Sequence, residues 1–424
     1  MTTPRELAVL GSTGSIGEQT LDVAARESAR LRVTALAAGR SLDRLCEQAV
    51  RWQPRHLALE QAEDAAAARE QLRAAAPGAD VEVGPGAAAR LAARCGAPLV
   101  VNGIVGAAGL AASLATLERG ARLALANKET LVIGADLVAA ILRRPVAASA
   151  PEELPNAAPR RSEAGSAFQS VPPLALQPSE ARLVPIDSEH SAALQCLQGR
   201  PAAEVARLTL TASGGPLRGH PDWRRATPAE VLAHPVWAMG PRITTDSATL
   251  FNKGLELIEA RALFGLDWHQ LDAVIQPRAV LHALVAFRDG SLVAQAARAD
   301  MRLPIQLALS WPERWGEAVP PLPPSALAGL EIEPLDPARH PAFACALAAG
   351  RAGGTAPCVV NAADEVAVHA FLEGAIALGR VPEVLETVLG EHRVERVESF
   401  EQLRGVDAWA REAARRAISK ASPA

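Results

Sequence analysis

The chain has 424 residues, a formal net charge of −4 at pH 7 and 49% hydrophobic residues, so we expect two or three domains and no general attraction to nucleic acid. No apolar run approaches the ~20 residues of a membrane span, and the N-terminus passes so quickly into a strand pattern that we expect no signal peptide. Five widely spaced cysteines favour neither a disulfide framework nor a zinc site, which points to the reducing cytoplasm.

Residues 1–142 alternate between strand-like and helix-like patterns. An apolar strand, a Gly/Ser turn and a helix start follow one another in "LAVLGSTGSIG", and further strands are predicted in "LRVTALAAG", "HLALE" and "APLVVNGI". A strand and then a long helix are predicted in "ARLALANKETLVIGADLVAAIL". Because strands that alternate with helices form parallel sheets, we predict an α/β fold with a parallel sheet in this first domain.

The turn between the first strand and the first helix carries Gly11, Gly14 and Gly17. Glycines permit a tight turn and close approach of a ligand, and a helix N-terminus offers free N–H groups to a pyrophosphate. Thr13 and Ser15 add hydroxyl donors. The pattern therefore predicts a dinucleotide site, and a purely structural turn is the alternative.

The end of the second strand indicates which dinucleotide is bound. Sites for NAD usually carry a carboxylate there, whereas this chain reads "AAGRS" and offers Arg40. A cation at this place suits the 2′-phosphate of NADPH. The alternative is that Arg40 is a solvated surface residue.

Composition divides the rest of the chain. Pro, Ala, Ser and charged residues dominate 143–182, which we predict to be a disordered insertion. Residues 183–311 are predicted to form a second α/β domain, with a strand in "ARLTLTASGG", a hairpin in "ALVAFRDGSLVAQ" and an amphipathic helix after Asn252. A proline-rich linker at 312–340 leads to a helical C-terminal domain at 341–424.

The segment "VPIDSEHSAA" is an apolar strand pattern that ends in acidic residues. Alternate side chains of a strand point the same way, so Asp187 and Glu189 are expected on one side and Ser188 on the other. Two hard oxygen ligands suggest Mg²⁺ or Mn²⁺. A general acid–base pair and a capped surface turn are the alternatives, and His190 is a ligand, a base or an exposed side chain.

A third ligand is available in "ITTDSATLFNKGLELIEA". Helical spacing places Asn252, Lys253 and Glu256 on about one face, but Glu259 lies near that face too, so spacing does not choose between the glutamates. Ser247 and Thr249 precede this helix, and together these groups make a phosphate cradle. Ordinary capping with a solvated Lys–Glu pair is the alternative.

Two Gly/Pro-rich segments and a compositional skew add to this site. Ser213 in "TASGGP" belongs to an anion nest or to a simple turn. The segment "HPVWAMGPRIT", with His234 and Trp237, suits a lid over a ligand or a loop that tucks the tryptophan into the core. Only three lysines occur, and Lys128 and Lys253 both follow asparagines, which marks either a need for compact ammonium groups or chance.

In this order, the segments resemble the 1-deoxy-D-xylulose 5-phosphate reductoisomerase family over nearly the whole chain. The resemblance rests on "GSTGSIGEQTLDV", "LANKETLV", "PIDSEHSA", "LTASGGP", "HPVWAMG", "SATLFNKGLELIEA", "DMRLPIQ" and "NAADEVAVHAFL". It implies an N-terminal Rossmann-like NADPH-binding domain, a central catalytic domain for metal and substrate at 183–311, a C-terminal helical bundle and a homodimer.

The resemblance also implies a role for each matching residue. The phosphates of NADPH would be bound by Thr13, Gly14, Ser15, Ile16, Gly39, Arg40 and Ser41. The nicotinamide side would be flanked by Asn127 and Glu129, with Gly240 also touching the cofactor. Mn²⁺ or Mg²⁺ would be held by Asp187, Glu189 and Glu256, which selects Glu256 over Glu259. The substrate would contact Lys128 and Ser188 through its oxygens and Ser213, Ser247, Asn252 and Lys253 through its phosphate, with His234 closing from the lid. The catalytic residues would be Lys128, Glu189, His234 and Glu256.

The implied reaction is a metal-assisted rearrangement of the phosphosugar to a branched aldehyde, which NADPH then reduces to 2-C-methyl-D-erythritol 4-phosphate, a precursor of isoprenoids. Three departures from the family pattern stand out: Gln276–Ala279, Ala297–Ala299 and the long stretch before the acidic segment. We expect the first two to bear on sheet and dimer packing more than on catalysis. Semialdehyde dehydrogenases, which need a nucleophilic cysteine, and a nucleotide-binding pseudoenzyme are the competing hypotheses.

Overall fold

A computed structural model of the protein describes residues 3–144, 181–237 and 239–420. Most of the predicted insertion, residues 145–180, lies outside these ranges. Among the described residues, no helix combines the length and the apolar character needed to cross a membrane.

The first sheet has seven parallel strands in the order β4-β3-β2-β1-β5-β6-β7. They are β1 (Arg5–Leu10), β2 (Leu31–Ala38), β3 (His56–Leu59), β4 (Asp80–Val83), β5 (Leu99–Asn102), β6 (Arg122–Leu125) and β7 (Leu183–Pro185). The parallel sheet and the strands predicted from the sequence are confirmed, and β4 is an addition. The last strand, β7, comes from beyond the predicted domain boundary, so the central part of the chain begins by completing the first sheet.

Six helices connect and flank these strands: α1 (Ser15–Arg26), α2 (Leu42–Trp52), α3 (Ala65–Ala75), α4 (Ala87–Arg94), α5 (Gly109–Glu118) and α6 (Glu129–Leu142). The strands are buried almost throughout, as expected when helices cover a parallel sheet. The strand order reverses at β1, whose neighbours are β2 and β5. In open α/β sheets, the crevice at the carboxyl ends of the strands at such a reversal is where ligands bind.

The second sheet has five strands in the order β11-β10-β8-β9-β12. They are β8 (Val205–Ala212), β9 (Leu271–Ile275), β10 (Leu281–Phe287), β11 (Leu292–Ala296) and β12 (Glu333–Pro334), the last from the predicted linker. The predicted hairpin is confirmed as the antiparallel pair β10–β11. The divergent segment 276–279 connects β9 to β10, and its buried Gln276 side chain accepts the N–H of Val280 at 2.8 Å.

The remaining helices are α7 (Ser188–Leu197), α8 (Pro228–Leu232), α9 (Pro241–Ala248), α10 (Phe251–Phe264), α11 (Arg302–Ser310), α12 (Pro341–Ala352), α13 (Ala356–Leu372), α14 (Arg380–Glu391) and α15 (Phe400–Ser419). The helical C-terminal part is therefore confirmed. The prediction that the helix after Asn252 is amphipathic was wrong, because α10 is buried on nearly all sides between α6, α9, α12 and the second sheet. Its charged side chains consequently face other protein groups rather than solvent.

Candidate active site

The glycine turn after β1 is packed too tightly for any side chain. Gly11 has φ +79°, and a Cβ there would lie 2.8 Å from the backbone of Gly103, while a Cβ on Gly17 would lie 2.2 Å from the carbonyl oxygen of Gly11. The helix α1 begins at Ser15, where the first-turn N–H groups have no helical carbonyl to bind. These donors stand at the carboxyl edge of the sheet, so the turn fits a pyrophosphate.

The residues predicted to bind the cofactor phosphates cluster around this turn and the end of β2. Thr13 and Ile16 are partly buried, whereas Gly14, Ser15, Gly39, Arg40 and Ser41 are exposed. The Nε of Arg40 donates to the side-chain oxygen of Gln61 at 2.5 Å, which holds the guanidinium just beyond β2. A positive charge at this place fits a 2′-phosphate.

The segment Asn127–Glu129 leads into α6, with Lys128 as the N-cap and Glu129 as the first helical residue, and it is buried. The Nδ2 of Asn127 donates to the carbonyl oxygens of Ile104 at 2.7 Å and of Gly106 at 2.8 Å. Glu129 accepts the N–H of Gly106 at 3.1 Å. These bonds tie the loop after β5 to the start of α6 and fix the orientation of both side chains.

Asp187, Glu189 and Glu256 each place a carboxylate oxygen within 4.8 Å of the others. The three residues come from the end of β7, the first turn of α7 and the second turn of α10. Such a set of hard oxygen atoms is the kind that Mg²⁺ and Mn²⁺ prefer. The residues therefore fit a divalent metal.

The route by which the acidic pair meets differs from the prediction. The strand ends at Pro185, Asp187 is the N-cap of α7, and Glu189 lies inside the helix, so strand alternation does not apply. The prediction that Ser188 points to the opposite side was also wrong, because its hydroxyl donates to Glu189 Oε2 at 2.5 Å. A helix start turns all three side chains toward one site.

Two buried lysines neutralise the carboxylates. Lys128 Nζ lies 2.6 Å from Asp187 Oδ2 and 3.0 Å from Glu256 Oε1, and it donates to Asn252 Oδ1 at 2.8 Å. Lys253 Nζ donates to Glu189 Oε1 at 2.8 Å and also contacts Glu256. Burial opposes charge on both lysines, but the carboxylates raise the pKa of each above its ordinary value. The carboxylates thus require positive charge among them.

The acids respond differently to this environment. Burial alone would raise the pKa of Asp187, but Lys128 and His190 hold that pKa well below its usual range. For Glu189, burial and the repulsion by Glu256 outweigh Lys253, so its pKa is raised. An additional cation in the cluster would stabilise the ionised form of Glu189 most.

A second acidic set shares Asp187 and consists of Asp187, His190 and Glu259. His190 Nε2 lies 2.8 Å from the carbonyl oxygen of Glu256 and therefore donates, while Nδ1 lies 3.5 Å from Glu259 and 3.6 Å from Asp187. Although burial disfavours its charge, these acids raise the pKa of His190 to about 9. Because Nε2 donates to a backbone carbonyl, this set offers a metal two carboxylates and one ring nitrogen, whereas the set with Glu256 offers three carboxylates, the ligand type that Mg²⁺ and Mn²⁺ prefer.

Two of the residues predicted to bind the substrate phosphate, Ser213 and Ser247, converge on His234, whereas Asn252 and Lys253 contact the carboxylate cluster. Its Nε2 lies 3.2 Å from Ser213 Oγ and 3.3 Å from Ser247 Oγ. Its Nδ1 accepts the N–H groups of Val236 and Trp237, and burial lowers its pKa, so the neutral ring carries its proton on Nε2. Trp237 lies half-buried against His282, with ring centroids 6.4 Å apart.

Sequence reasoning assigned no role to Arg242, which lies within the predicted lid segment and at the start of α9. Its guanidinium contacts Glu129 at 3.0 Å and Glu365 at 2.9 Å. These partners are more than 100 residues away along the chain, so no local pattern could have indicated the contact.

Comparison with known proteins identifies the relatives of this chain. Family models described as 1-deoxy-D-xylulose 5-phosphate reductoisomerase, its C-terminal domain and the DXP reductoisomerase C-terminal domain match residues 7–135, 183–264 and 297–413. The chain is 45% identical to the 1-deoxy-D-xylulose 5-phosphate reductoisomerase of Moorella thermoacetica over 96% of each chain, and 40% identical to that of Desulforamulus reducens over 98% and 99%. It superposes with a TM-score of 0.83 and 32% identity on the Zymomonas mobilis enzyme in complex with NADPH, covering 98% and 99% of the two chains. A DOX-P reductoisomerase in complex with NADPH, fosmidomycin and magnesium gives the same TM-score and identity, with 98% of each chain covered.

Proposed function

Because the chain belongs to the 1-deoxy-D-xylulose 5-phosphate reductoisomerase family, we propose a role in that family's reaction for each residue of the candidate active site. The chain is an NADPH-dependent oxidoreductase that converts 1-deoxy-D-xylulose 5-phosphate to 2-C-methyl-D-erythritol 4-phosphate. Its cofactors are NADPH and a divalent metal, and its reaction belongs to the non-mevalonate pathway to isoprenoid precursors.

The metal ligands that we propose are Asp187, Glu189 and Glu256. When bound, a divalent metal supplies Lewis acidity toward the ketone and neighbouring hydroxyl oxygens of the substrate. The buried carboxylates supply negative charge, and Ser188, bonded to Glu189, is placed to contact a substrate hydroxyl. The observation that carries this proposal is the convergence of three carboxylates and two lysines on one buried point.

Lys128 and Lys253 then have distinct roles. Lys128 sits between the carboxylates and Asn252, where its ammonium group can bind substrate oxygens. Lys253 lies beside Glu189. It forms the phosphate-binding end together with Asn252, Ser213, Ser247 and the Nε2–H of His234. Binding the remote phosphate positions the reacting carbons, which is how a non-reacting group contributes to the rate.

For NADPH, we propose that the glycine turn holds the pyrophosphate and that Gly39, Arg40 and Ser41 hold the 2′-phosphate end. Asn127 and Glu129, fixed by the loop after β5, flank the nicotinamide, and Gly240 contacts the cofactor from the N-cap of α9. The exposure of the turn and the burial of the nicotinamide side fit a cofactor that enters with its reactive ring innermost.

A thiol mechanism like that of semialdehyde dehydrogenases finds no support. Burial raises the pKa of Cys46, and it raises the pKa of Cys196 to about 11 and those of Cys345 and Cys358 to about 12. A catalytic cysteine needs a lowered pKa.

We further propose the domain division 1–142, 183–311 and 341–424, with 143–182 as an insertion and 312–340 as a linker, except that β7 completes the first sheet and β12 pairs with the second. A homodimer would use the edge strand β11, where Leu292 is 62% exposed and Val293 40% exposed. Light scattering after gel filtration tests the dimer, because Leu292→Glu should shift the mass to that of one chain.

A cytoplasmic location is supported by five unpaired cysteines, and cell fractionation tests it.

The direct test of the enzyme is NADPH oxidation with 1-deoxy-D-xylulose 5-phosphate, followed with and without Mg²⁺ or Mn²⁺. We expect oxidation that requires both the substrate and the metal. Folded protein that binds NADPH but shows no metal-dependent oxidation would favour the pseudoenzyme instead.

A further inference from the structure

The side chain of Arg242 is the centre of a charged network that joins three parts of the chain. Its Nη1 donates to Glu129 Oε1 at 3.0 Å and to Glu365 Oε1 at 2.9 Å, and its Nη2 donates to Asn361 Oδ1 at 2.9 Å. The carboxylates of Asp246 and Asp364 lie 3.6 and 3.5 Å from the same guanidinium. One arginine on α9 thus faces α6 and α13 together.

The network is buried and its charges are not balanced. Only 18% of the Arg242 side chain is exposed, and four carboxyl groups face it. Burial and the repulsion by Asp246 raise the pKa of Asp364 well above its ordinary value. Removing Arg242 from a buried network of this kind leaves Glu129 and Asp246 without their cationic partner, which is costly. The positions of the Arg242 guanidinium and its partners are therefore strongly fixed.

The partner that matters for chemistry is Glu129. Its carboxylate accepts from Arg242, from the N–H of Gly106 and from Asn127 Nδ2 at 3.0 Å. Gly106, with φ +77°, packs so closely on Glu365 that a Cβ there would lie 2.8 Å from Glu365 Oε1. The loop after β5 and the start of α6 are therefore both held against the C-terminal helix α13 through Arg242.

We propose that Arg242 is a positioning residue for hydride transfer. Through Glu129 and the Gly106 loop, it sets where the nicotinamide stands relative to the substrate, and α13 is the rigid support. This inference rests on the proposed placement of the nicotinamide beside Asn127 and Glu129. A displacement of about 1 Å between reacting atoms costs up to ~100-fold in rate, so a loose network lowers the rate of hydride transfer without removing a binding group.

The test is Arg242→Met, which keeps much of the apolar stem and removes the guanidinium. We expect kcat to fall about 10- to 100-fold, with smaller changes in the KM for 1-deoxy-D-xylulose 5-phosphate and in the Kd for NADPH from fluorescence titration. The deuterium isotope effect on kcat, measured with NADPH labelled at the transferred position, should rise because hydride transfer becomes the slow step. Arg242→Lys should restore part of kcat, since an ammonium group replaces one of the contacts.

Arg411→Met is the matched control. Arg411 on α15 donates to Glu365 Oε2 at 2.5 Å and to Asp407 at 2.7 Å, so its loss weakens the same network from the side away from Glu129. It should lower the melting temperature about as much as Arg242→Met does and leave the isotope effect at its wild-type value. Circular dichroism confirms that both variants are folded.

Two outcomes overturn the inference. The first is a folded Arg242→Met protein with wild-type kcat and isotope effect, and the second is an equal loss in Arg242→Met and Arg411→Met without any change in the isotope effect. Glu129→Gln separates this failure from that of the proposed function. If Glu129→Gln raises the isotope effect and Arg242→Met does not, only the role of Arg242 is wrong; if neither does, the nicotinamide does not stand beside Glu129.

Discussion

Replacing Glu256 by Gln tests the metal site at its most buried ligand. The side chain of Glu256 is 2% exposed, and it contacts Lys128, Lys253 and Asn252 as well as the other two carboxylates. Gln keeps the shape and one carbonyl oxygen but removes the charge. We expect the variant to fold, to bind NADPH with nearly unchanged affinity, and to lose metal-dependent turnover.

The size of the effect can be worked from the distances. With an effective dielectric constant of ~20, the 3.0 Å contact of Lys128 with Glu256 is worth about 5.5 kcal/mol, and two carboxylates at the 4.8 Å outer limit of this set repel by about 3.5 kcal/mol. Removing the charge of Glu256 loses its attractions to two lysines, about 11 kcal/mol, and relieves its repulsions from two carboxylates, about 7 kcal/mol. The desolvation cost of burying the Glu256 carboxylate also disappears, which offsets much of the remaining difference. The protein without metal should therefore be nearly as stable as the wild type.

The effect on metal binding is different, because a divalent ion loses its attraction to the Glu256 carboxylate and is relieved of no repulsion. At the same separation it loses about twice the attraction of a lysine, about 11 kcal/mol before any compensation by the Gln oxygen. Even a third of this figure, about 3.5 kcal/mol, weakens binding more than 100-fold. Calorimetric titration with Mn²⁺ measures the loss, and fluorescence titration measures NADPH binding.

Glu259→Gln is the matched control, since Glu259 is equally buried on the same helix but faces His190 rather than the two lysines. We expect its Mn²⁺ affinity to stay within about 10-fold of the wild type. The reasoning is refuted if Glu256→Gln binds Mn²⁺ normally while Glu259→Gln does not, because the set with His190 would then hold the metal. Loss of both NADPH and metal binding in folded Glu256→Gln would mean that the whole site is misassigned.

Three further predictions concern other parts of the molecule. Gly17→Ala should abolish NADPH binding in a fluorescence titration, because its Cβ would lie 2.2 Å from the carbonyl oxygen of Gly11, whereas Gly390→Ala, which meets nothing within 4 Å, should bind normally. His234→Ala should raise the KM for 1-deoxy-D-xylulose 5-phosphate by about 10- to 100-fold with NADPH affinity unchanged, since it removes one donor to a charged phosphate; an unchanged KM would place the phosphate elsewhere. His282→Gln tests how the stability of the fold depends on pH. Burial and Lys253 lower the pKa of His282 to about 4, below its unfolded value, so its contribution to stability is present above pH ~6.5 and is lost as pH falls toward 4. Thermal denaturation should show the wild type losing about 2.5 kcal/mol relative to His282→Gln between pH 7 and 4.5, and parallel curves would contradict this.

The sequence predicted the first sheet well because its signals are local. Apolar runs between glycine turns indicate buried parallel strands wherever they occur, and the turn at Gly11–Gly17 identifies its own structure. The acidic segment shows where such reasoning ends. Three apolar residues looked like the start of a longer strand, but the chain turns at Ile186 and starts a helix at Ser188. The carboxylates lie close together as expected, but the start of a helix rather than a strand brings them there.

The choice between Glu256 and Glu259 and the role of Arg242 depend on tertiary contacts, which spacing does not encode. Both glutamates lie on the buried helix α10, and only the positions of Lys128 and His190, contributed by α6 and α7, distinguish them. The amphipathic prediction for this helix failed for the same reason. The charged residues suggested a solvated face, whereas Lys253 and Glu256 are buried and contact charged groups from other elements.

The geometry of the acidic cluster explains why lysine rather than arginine stands at positions 128 and 253. Lys128 places one ammonium group within 3.0 Å of oxygens on three residues that surround it, Asp187, Glu256 and Asn252. A guanidinium spreads its donors in a plane and suits a carboxylate fork, so it cannot serve three oxygens that converge on a point. A compact cation also leaves room for substrate oxygens beside it. Where arginine serves nearly everywhere else, two of the three lysines therefore stand where the charge must be small and central.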